Sequence, residues 1–317
     1  MKIIDLNNYT ERKYKTAVAL GNFDGIHKGH KHLITNMVRS AKRRNLRSSI
    51  LLFKNHTRDI LGNNNIEKFN ILTSNEQKLK IIEGLGVDIV YTMKFDRNIM
   101  RLTGKEFIED IIIDKLNSQF ITVGFDYKFG YKASGDSSYL KQIGLQKGLS
   151  IDIIEPIIAD GEVISSTTIR GLIRDGNIRK ANRFLGRNYM IEGRVIAGQN
   201  RGTGLGFPTA NMKLSYNYVI PKSGVYKTYA IIGGRGYPCI TSIGANPTFD
   251  DDEFKIETHI LDFDQYIYDE GIQVELIDFI RENIRFNTVE DLKRQIEHDI
   301  ESISQVAYKN IDNIEEV

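Results

Sequence analysis

The chain has 317 residues, 41% hydrophobic and 26% charged, with a formal net charge of +2 and one cysteine. That length holds two domains with a core in each, and the ordinary composition excludes a disordered or fibrous chain. A lone Cys239 excludes an intramolecular disulfide and a cysteine metal cluster, and it fits a reducing cytoplasm. The near-neutral charge does not by itself imply a strong polyanion-binding surface, and the basic cluster Lys42, Arg43, Arg44 and Arg47 reads as a solvated helix end. Residues 1–15 lack the apolar core of a signal peptide, and no apolar run approaches the roughly 18 residues of a membrane helix. The expectation is a cytoplasmic protein that binds neither nucleic acid nor membrane; its oligomeric state is not readable.

Residues 17–20 are a short apolar run of strand type. Gly21-Asn22-Phe23-Asp24-Gly25-Ile26-His27-Lys28-Gly29-His30 follow, and Leu33, Ile34, Met37 and Val38 then repeat at helical spacing. The reading is strand, glycine-rich turn, helix. Glycines let the backbone approach a ligand, and a helix start offers N–H groups and a positive dipole end to phosphate. His27 and His30, three apart, share one helical face and can carry protons near neutral pH. H-x-x-H alone is more often a plain helix start with solvated histidines; the preceding Gly-Asn-Phe-Asp-Gly favours a phosphate site.

Further strands are expected at 48–53, 87–93, 120–124 and 151–154, with helices at 74–85, 104–116 and 140–147. Alternation of this kind implies right-handed crossovers and a parallel sheet. Ligands on such a sheet sit beyond the carboxyl ends of the strands, where 21–30 lies. Phe125 and Asp126 come just after a strand. They read either as an aromatic face and a polar group for a flat ring, or as a loop pinned to the core by Phe125 and Phe129. Ser165, Ser166 and Thr167 precede Ile169, Leu172 and Ile173, which reads as a helix N-cap. With Arg170 in the first turn the same stretch is also a phosphate site, the preferred reading beside 21–30.

Helical pattern runs over 177–185, and Gly186-Arg187-Asn188 breaks it. The domain boundary is expected there, giving domains 1–186 and 187–317. Beyond it, 189–197, 225–232, 237–243, 255–261 and 272–279 are β-rich and punctuated by turns, as in a small antiparallel barrel. Residues 288–303 read as a closing amphipathic helix with Leu292, Ile296 and Ile300 four apart. Gly202, Gly204 and Gly206, ahead of Phe207 and Pro208, permit a tight loop whose amides face a phosphate chain, or a glycine-rich hairpin turn. Thr209 and Asn211 point the same way on an extended strand, and their oxygens suit a magnesium ion held mostly by ATP phosphates. Glu257, within a strand whose apolar members are Ile256, Ile260 and Leu261, reads as a base for an attacking hydroxyl or as an exposed strand glutamate.

The 21–30 stretch resembles the H-x-G-H signature of a nucleotidyltransferase superfamily, and its wording looks like the prokaryotic FAD synthetase branch. Ile-Ser-Ser-Thr-Thr-Ile-Arg, Gly-Phe-Pro-Thr-Ala-Asn, Gly224-Val225-Tyr226, Ile243-Gly244-Ala245-Asn246-Pro247-Thr248-Phe249 and Glu257-Thr-His-Ile-Leu-Asp-Phe follow in order. Together they resemble the bacterial bifunctional riboflavin kinase/FAD synthetase family over both halves of the chain. The resemblance implies an N-terminal Rossmann-like nucleotidyltransferase domain and a C-terminal riboflavin-kinase barrel. The second would phosphorylate riboflavin to FMN with MgATP. Thr209 and Asn211 would hold Mg2+ and phosphates, and the glycine loop with Pro208 the ATP. Glu257 would be the base, and Arg281, Arg285 and Phe286 the flavin-side segment. The first would join FMN to AMP with release of pyrophosphate. His27 and His30 would stabilise the triphosphate. Gly21, Phe23, Asp24, Gly25, Ser165, Ser166, Thr167 and Arg170 would handle ATP phosphates, with Phe125 and Asp126 near the flavin.

One departure stands out. Where the family has Phe-x-Pro-His-Pro this chain has Phe53-Lys54-Asn55-His56-Thr57, followed by Gly62-Asn63-Asn64-Asn65. Without prolines the flavin side of the first site is expected to be looser. Two further readings are an H-x-G-H nucleotidyltransferase with a passive barrel, and a flavin-binding regulator without catalysis. The intact His27, His30, Asn211 and Glu257 speak against both.

Overall fold

The computed structural model describes residues 1–8, 13–55, 69–199, 201–246, 248, 251–303 and 309–310. The chain divides into two compact units, Met1–Phe69 with Thr73–Ser166, and Asn70–Leu72 with Thr167–Val317.

The first unit is built on six parallel strands: β1 (Lys2–Asp5), β2 (Thr16–Ala19), β3 (Arg47–Phe53), β4 (Ile89–Met93), β5 (Ser118–Gly124) and β6 (Ser150–Ile154). Their order is β1-β4-β3-β2-β5-β6. Period-two alternation sorts the central strands onto two cores. Val18, Leu51 and Ile121 face one, and Ala17, Ala19, Ile50, Leu52 and Phe120 the other. Helix α1 (Lys28–Arg43) closes the second with Leu33, Ile34 and Met37. Helix α2 (Asn75–Gly84) carries a capping box between Ser74 and Gln77 and adds Ile82 to it. The first core is closed by α3, one α-turn (Gly104–Glu106) that continues as π-helix (Phe107–Lys115), through Phe107, Ile108, Ile111 and Ile112. Helix α4 (Ser137–Gln146) contributes Leu140 to the same core. From β2 the chain steps to β3 and on to β4 in one direction; from β5 it steps to β6 in the other. The order reverses between β2 and β5, and sheets of this kind bind ligands beyond the carboxyl ends of the strands at such a point.

The second unit holds helices α5 (Ser166–Arg174), from Thr167 on, and α6 (Ile178–Leu185), followed by a barrel. Its strands are β7 (Tyr189–Ile196), β8 (Ala210–Leu214), β9 (Gly224–Ile232), β10 (Arg235–Asn246), β11 (Asp251–Ile260) and β12 (Gly271–Arg281). All pairings are antiparallel, in the order β9-β12-β7-β8-β11-β10, and β9 pairs with β10 to close the ring. Closure leaves none of these strands as a bare edge. The buried hydroxyls of Thr228, Thr241 and Thr258 satisfy one another across β9, β10 and β11, at 2.8 and 3.0 Å. Helix α8 (Val289–Glu301), capped by Thr288, lies on the barrel; Ile300 and Ile303 pack with Val225 and Ile240. A short piece from the other half of the sequence also belongs here. The Ile71 N–H donates to Asn217 O, and Val219 N–H donates to Ile71 O, both at 2.9 Å.

Gly186 ends α6 in the left-handed conformation (φ 66°), where the sequence pattern breaks, whereas compactness divides the chain between Ser166 and Thr167. Two elements differ from the sequence reading. The polar start contains strand β1, with only two apolar residues to announce it. The glycine-rich stretch begins as a short helix, α7 (Arg201–Leu205), where a tight loop or a hairpin turn was expected. Phe207 N–H donates to Gly202 O at 2.8 Å, and Gly206 takes the left-handed φ of 91° that ends the turn.

Candidate active sites

The first site grows out of β2. The loop after it places Phe23 (φ 48°), Gly25 (φ 84°) and Ile26 (φ 35°) in left-handed conformations. Only glycine does so readily, so Phe23 and Ile26 are strained and need their surroundings to hold them. Both are fully buried. Buried Asp24 ties the loop from inside: its Oδ1 accepts Thr73 N–H at 3.2 Å, and its carbonyl accepts Ser166 Oγ–H at 2.8 Å. A Cβ at Gly21 would stand 3.2 Å from the Phe23 ring. Phe23 and Asp24 thus act within the loop as framework.

His27 is the N-cap of α1. Its Nδ1 accepts His30 N–H at 3.3 Å, so a neutral ring carries its proton on Nε2. The His27 and His30 rings stack with centroids 3.7 Å apart, and Phe23 meets His30 edge-on at 5.3 Å. Gly29 leaves room for this: a Cβ there would stand 3.2 Å from the His27 ring. The two imidazoles are one ordered unit at a helix start.

Half-buried Ser165 and Ser166 follow Ile164 in the same unit. Exposed Thr167 and buried Arg170 belong to the second unit, where Arg170 Nε–H donates to Asn70 O at 3.2 Å. At the end of β5, Phe129 is the buried anchor, in contact with Phe107, Tyr127 and Tyr139. Phe125 is 44% exposed and Asp126 is exposed, so the core-pin role expected of Phe125 falls to Phe129 alone. His56, Thr57 and Gly62 to Asn65 lie outside the described residues, as do Pro247 and Phe249. Asn55 stands at the first of the two positions where the family has proline. Its amide donates to Phe95 O and accepts Phe95 N–H, each at 2.9 Å, tying the β3 end to the segment after β4.

The second site lies on the outer face of the barrel. In β11 the buried Ile256, Thr258 and Ile260 alternate with half-buried Lys255, Glu257 and His259. The latter three line a cavity of about 160 Å³ with Thr209 and Asn211. Asn211 stands directly opposite Glu257 in the β8–β11 register, and Ser242 opposite Glu257 in the β10–β11 register. Gly202 of α7 lies on the rim, with its Cβ direction 3.3 Å from Thr209 Oγ1. The Asn211 amide occupies the space a side chain at Gly198 would fill, 2.1 Å from that Cβ position. Gly204, Gly206 and Pro208 are not among the lining residues.

The opposite wall is apolar: Ile284, Phe286, and Leu292 and Ile296 from α8. Arg281 also lines the cavity and lies over the Phe286 ring at 5.9 Å. Asp299, which the sequence reading passed over, fixes it: Arg281 Nε donates to Asp299 Oδ2 at 3.0 Å and Nη2 at 2.7 Å, with Gln295 donating to Oδ1. An acid seven residues past Leu292 falls on that residue's helix face, the one signal available. The Asn283 amide donates to Ile243 O and Ala245 O, and Phe286 N–H donates to Thr248 Oγ1, which joins this wall to the end of β10. Arg285 is exposed and does not line the cavity.

A FAD synthetase family model matches residues 9–168, and a riboflavin kinase model matches residues 185–307. The bifunctional riboflavin kinase/FMN adenylyltransferase of Buchnera aphidicola is 34% identical over 310 residues, 96% of this chain and 98% of that protein. The Bacillus subtilis protein of the same name is 34% identical, with 91% and 92% covered. A Streptococcus pneumoniae crystal structure titled a macrolide-efflux protein superposes with a TM-score of 0.87 at 30% identity, covering 97% of this chain and all of that one. Its title concerns efflux; among the described residues here, no helix is long and apolar enough to cross a membrane. The two family models cover both halves of the chain and the relatives match it over nearly its whole length, and the chain belongs to the bifunctional riboflavin kinase/FMN adenylyltransferase family.

Proposed function

We infer that this chain makes FMN from riboflavin and ATP, and then FAD from FMN and a second ATP with release of pyrophosphate. Kinase chemistry is assigned to residues 187–317 and adenylyl transfer to residues 1–186, in the cytoplasm. The observation that carries the kinase reading is the pairing of Asn211 with Glu257 across β8 and β11, in one cavity with Thr209. The Glu257 carboxylate takes the proton of the riboflavin hydroxyl as its oxygen attacks the γ-phosphate, the bond to the β,γ-bridging oxygen breaks, and ADP leaves. The apolar wall of Phe286, Leu292 and Ile296 receives the flavin ring system, and Arg281 borders it. Arg285 acts from outside that cavity, at its flavin side.

The donor set fits a magnesium ion that arrives with ATP. Thr209 and Asn211 offer one hard oxygen each, and the described residues contain no cluster of three His, Cys, Asp or Glu that would make a protein cage. Thr209 Oγ1 and the Asn211 amide oxygen would hold it, and its charge would offset that of the phosphates. The helix α7 glycines and Pro208 shape the ATP side.

In the first site FMN phosphate is itself the nucleophile, so the protein needs to orient and to stabilise charge. His27 and His30, stacked at the start of α1, supply proton-bearing groups to the triphosphate. The strained 21–26 loop, with Gly21 and Gly25, brings backbone close to it; Ser165 and Ser166 of the same unit hold phosphates, and Phe125 with Asp126 meets the flavin at the carboxyl ends of β2 and β5. Purified protein with riboflavin, ATP and magnesium tests both steps when FMN and FAD are followed by chromatography. Absence of FMN refutes the kinase reading; absence of FAD from added FMN refutes the other.

A further inference from the structure

In the kinase site, the backbone ladder between β8 and β11 stops too early to hold Thr209. The register pairs Asn211 with Glu257 and Ala210 with Thr258, and ends there. Continued, the register would set Thr209 opposite His259 and then Pro208 opposite Ile260, and Pro208 has no N–H to give. Thr209, the first of the two oxygen donors, is therefore past the last backbone pair.

A side chain continues the ladder. His259, two residues beyond Glu257 on the same face of β11, places Nδ1 2.8 Å from Pro208 O. A carbonyl only accepts, so Nδ1 donates, and a neutral His259 ring has its lone pair on Nε2. The ring also meets Phe207 edge-on at 5.7 Å and lines the cavity. Thr209 is thus held on both sides, by the Ala210–Thr258 pair after it and by the His259 bond to Pro208 before it.

We propose that His259 is a positioning residue of the kinase site, whose Nδ1–H clamps the Pro208 carbonyl and thereby fixes the Thr209 hydroxyl where ATP-bound magnesium meets the strand. It rests on the kinase reading given above. The clamp is a matter of geometry at one ring nitrogen, which separates it from a general packing role. An asparagine amide stands where Nδ1 stands; a glutamine amide stands where Nε2 stands and cannot make this bond.

The test uses the whole protein and measures riboflavin phosphorylation as a function of ATP and magnesium. His259→Gln raises the KM for ATP about tenfold, the worth of one well-placed hydrogen bond, with the KM for riboflavin within about twofold. His259→Asn recovers to within about threefold of the native KM for ATP. FAD formation from added FMN is unchanged in both variants. Equal behaviour of the Asn and Gln variants, or an unaltered KM for ATP in His259→Gln, overturns the clamp. Should the native protein form no FMN while still converting FMN to FAD, the kinase reading itself fails and the clamp with it.

Discussion

Gly198 offers a small and local way to disturb the kinase site. It lies just past β7, whose Ile196 pairs with Asn211. A methyl group at 198 would stand 2.1 Å from Asn211 Nδ2 and 2.7 Å from Cγ, whereas ordinary contact begins at 3.4 Å. The amide must retreat by about 1.3 Å to relieve this, the difference between those two separations. Gly198 is not among the residues with positive φ, so alanine fits its backbone and the damage stays with Asn211. Magnesium holds its ligands at roughly 2.0–2.1 Å in near-octahedral geometry, and a misplacement of about 1 Å commonly costs about 10²-fold in rate. Gly198→Ala should therefore lower kinase kcat/KM about 10²-fold and raise the magnesium needed for half-maximal rate. The assay is FMN formation across a magnesium series, with circular dichroism melting and FAD formation from added FMN as controls. A folded Gly198→Ala protein with kinase activity within about twofold of the native would show that Asn211 is not a precise ligand.

Further outcomes are expected. Glu257→Gln should lose about 10²- to 10⁴-fold in FMN formation while the melting curve persists; near-native turnover removes its role as base. His30→Ala should abolish FAD synthesis and keep FMN synthesis, and labelled ATP alone should leave no label on the native protein; a trapped adenylyl-enzyme overturns direct transfer. Asp299→Ala leaves a largely buried Arg281 guanidinium without its carboxylate, so urea unfolding should show a loss of about 3 kcal/mol. An unchanged urea midpoint means the pair holds nothing.

The first candidate site was legible because its parts are neighbours in the chain: three glycines, an acid and two histidines within ten residues, between a strand and a helix. The parallel sheet was equally legible, since buried strands and amphipathic helices alternate with different periods. What stayed hidden depends on distant pairing. Asn211 and Glu257 are 46 positions apart in the numbering, and only the antiparallel register sets them face to face. Arg281 read as a flavin-side residue, yet its fixed position comes from Asp299 on a helix that packs back over the barrel. Phe125 and Phe129 looked equivalent as anchors. The turn after β5 sends one into the core and the other outward, which composition does not record. In α7 the glycines suggested a tight loop or a hairpin turn, but residues 201–205 form a short helix, and Phe207 N–H donates to Gly202 O just past its end. The helix expected at 104–116 carried no sign that it would widen to a π-helix, with Leu116 N–H donating to Ile111 O.

The change of sequence period at Gly186 and the compact unit beginning at Thr167 make different demands on a kinase fragment. Helix α6 lies before Gly186 and buries Ile178, Ala181, Phe184 and Leu185. Its Asn182 amide donates to Leu276 O in β12 at 2.8 Å and accepts Tyr189 N–H of β7 at 2.8 Å, so it joins two barrel strands. Burying three large apolar side chains contributes about 1.5–3 kcal/mol each, and the two hydrogen bonds about 1 kcal/mol each. That sum is comparable with the whole net stability of a domain, about 5–15 kcal/mol. A fragment of residues 187–317 keeps every residue assigned to kinase chemistry and loses this support; a fragment of residues 167–317 keeps both. Neither contains Asn70 to Leu72, so the comparison isolates the helices. The shorter fragment should melt more than about 10 °C below the longer one, since each kcal/mol shifts the midpoint of a domain this size by roughly 2–8 °C. The longer fragment should convert riboflavin to FMN and stop there. Melting points within about 3 °C of each other, with equal FMN formation, would show that α6 is an appendage and that the barrel from Tyr189 on is a complete folding unit.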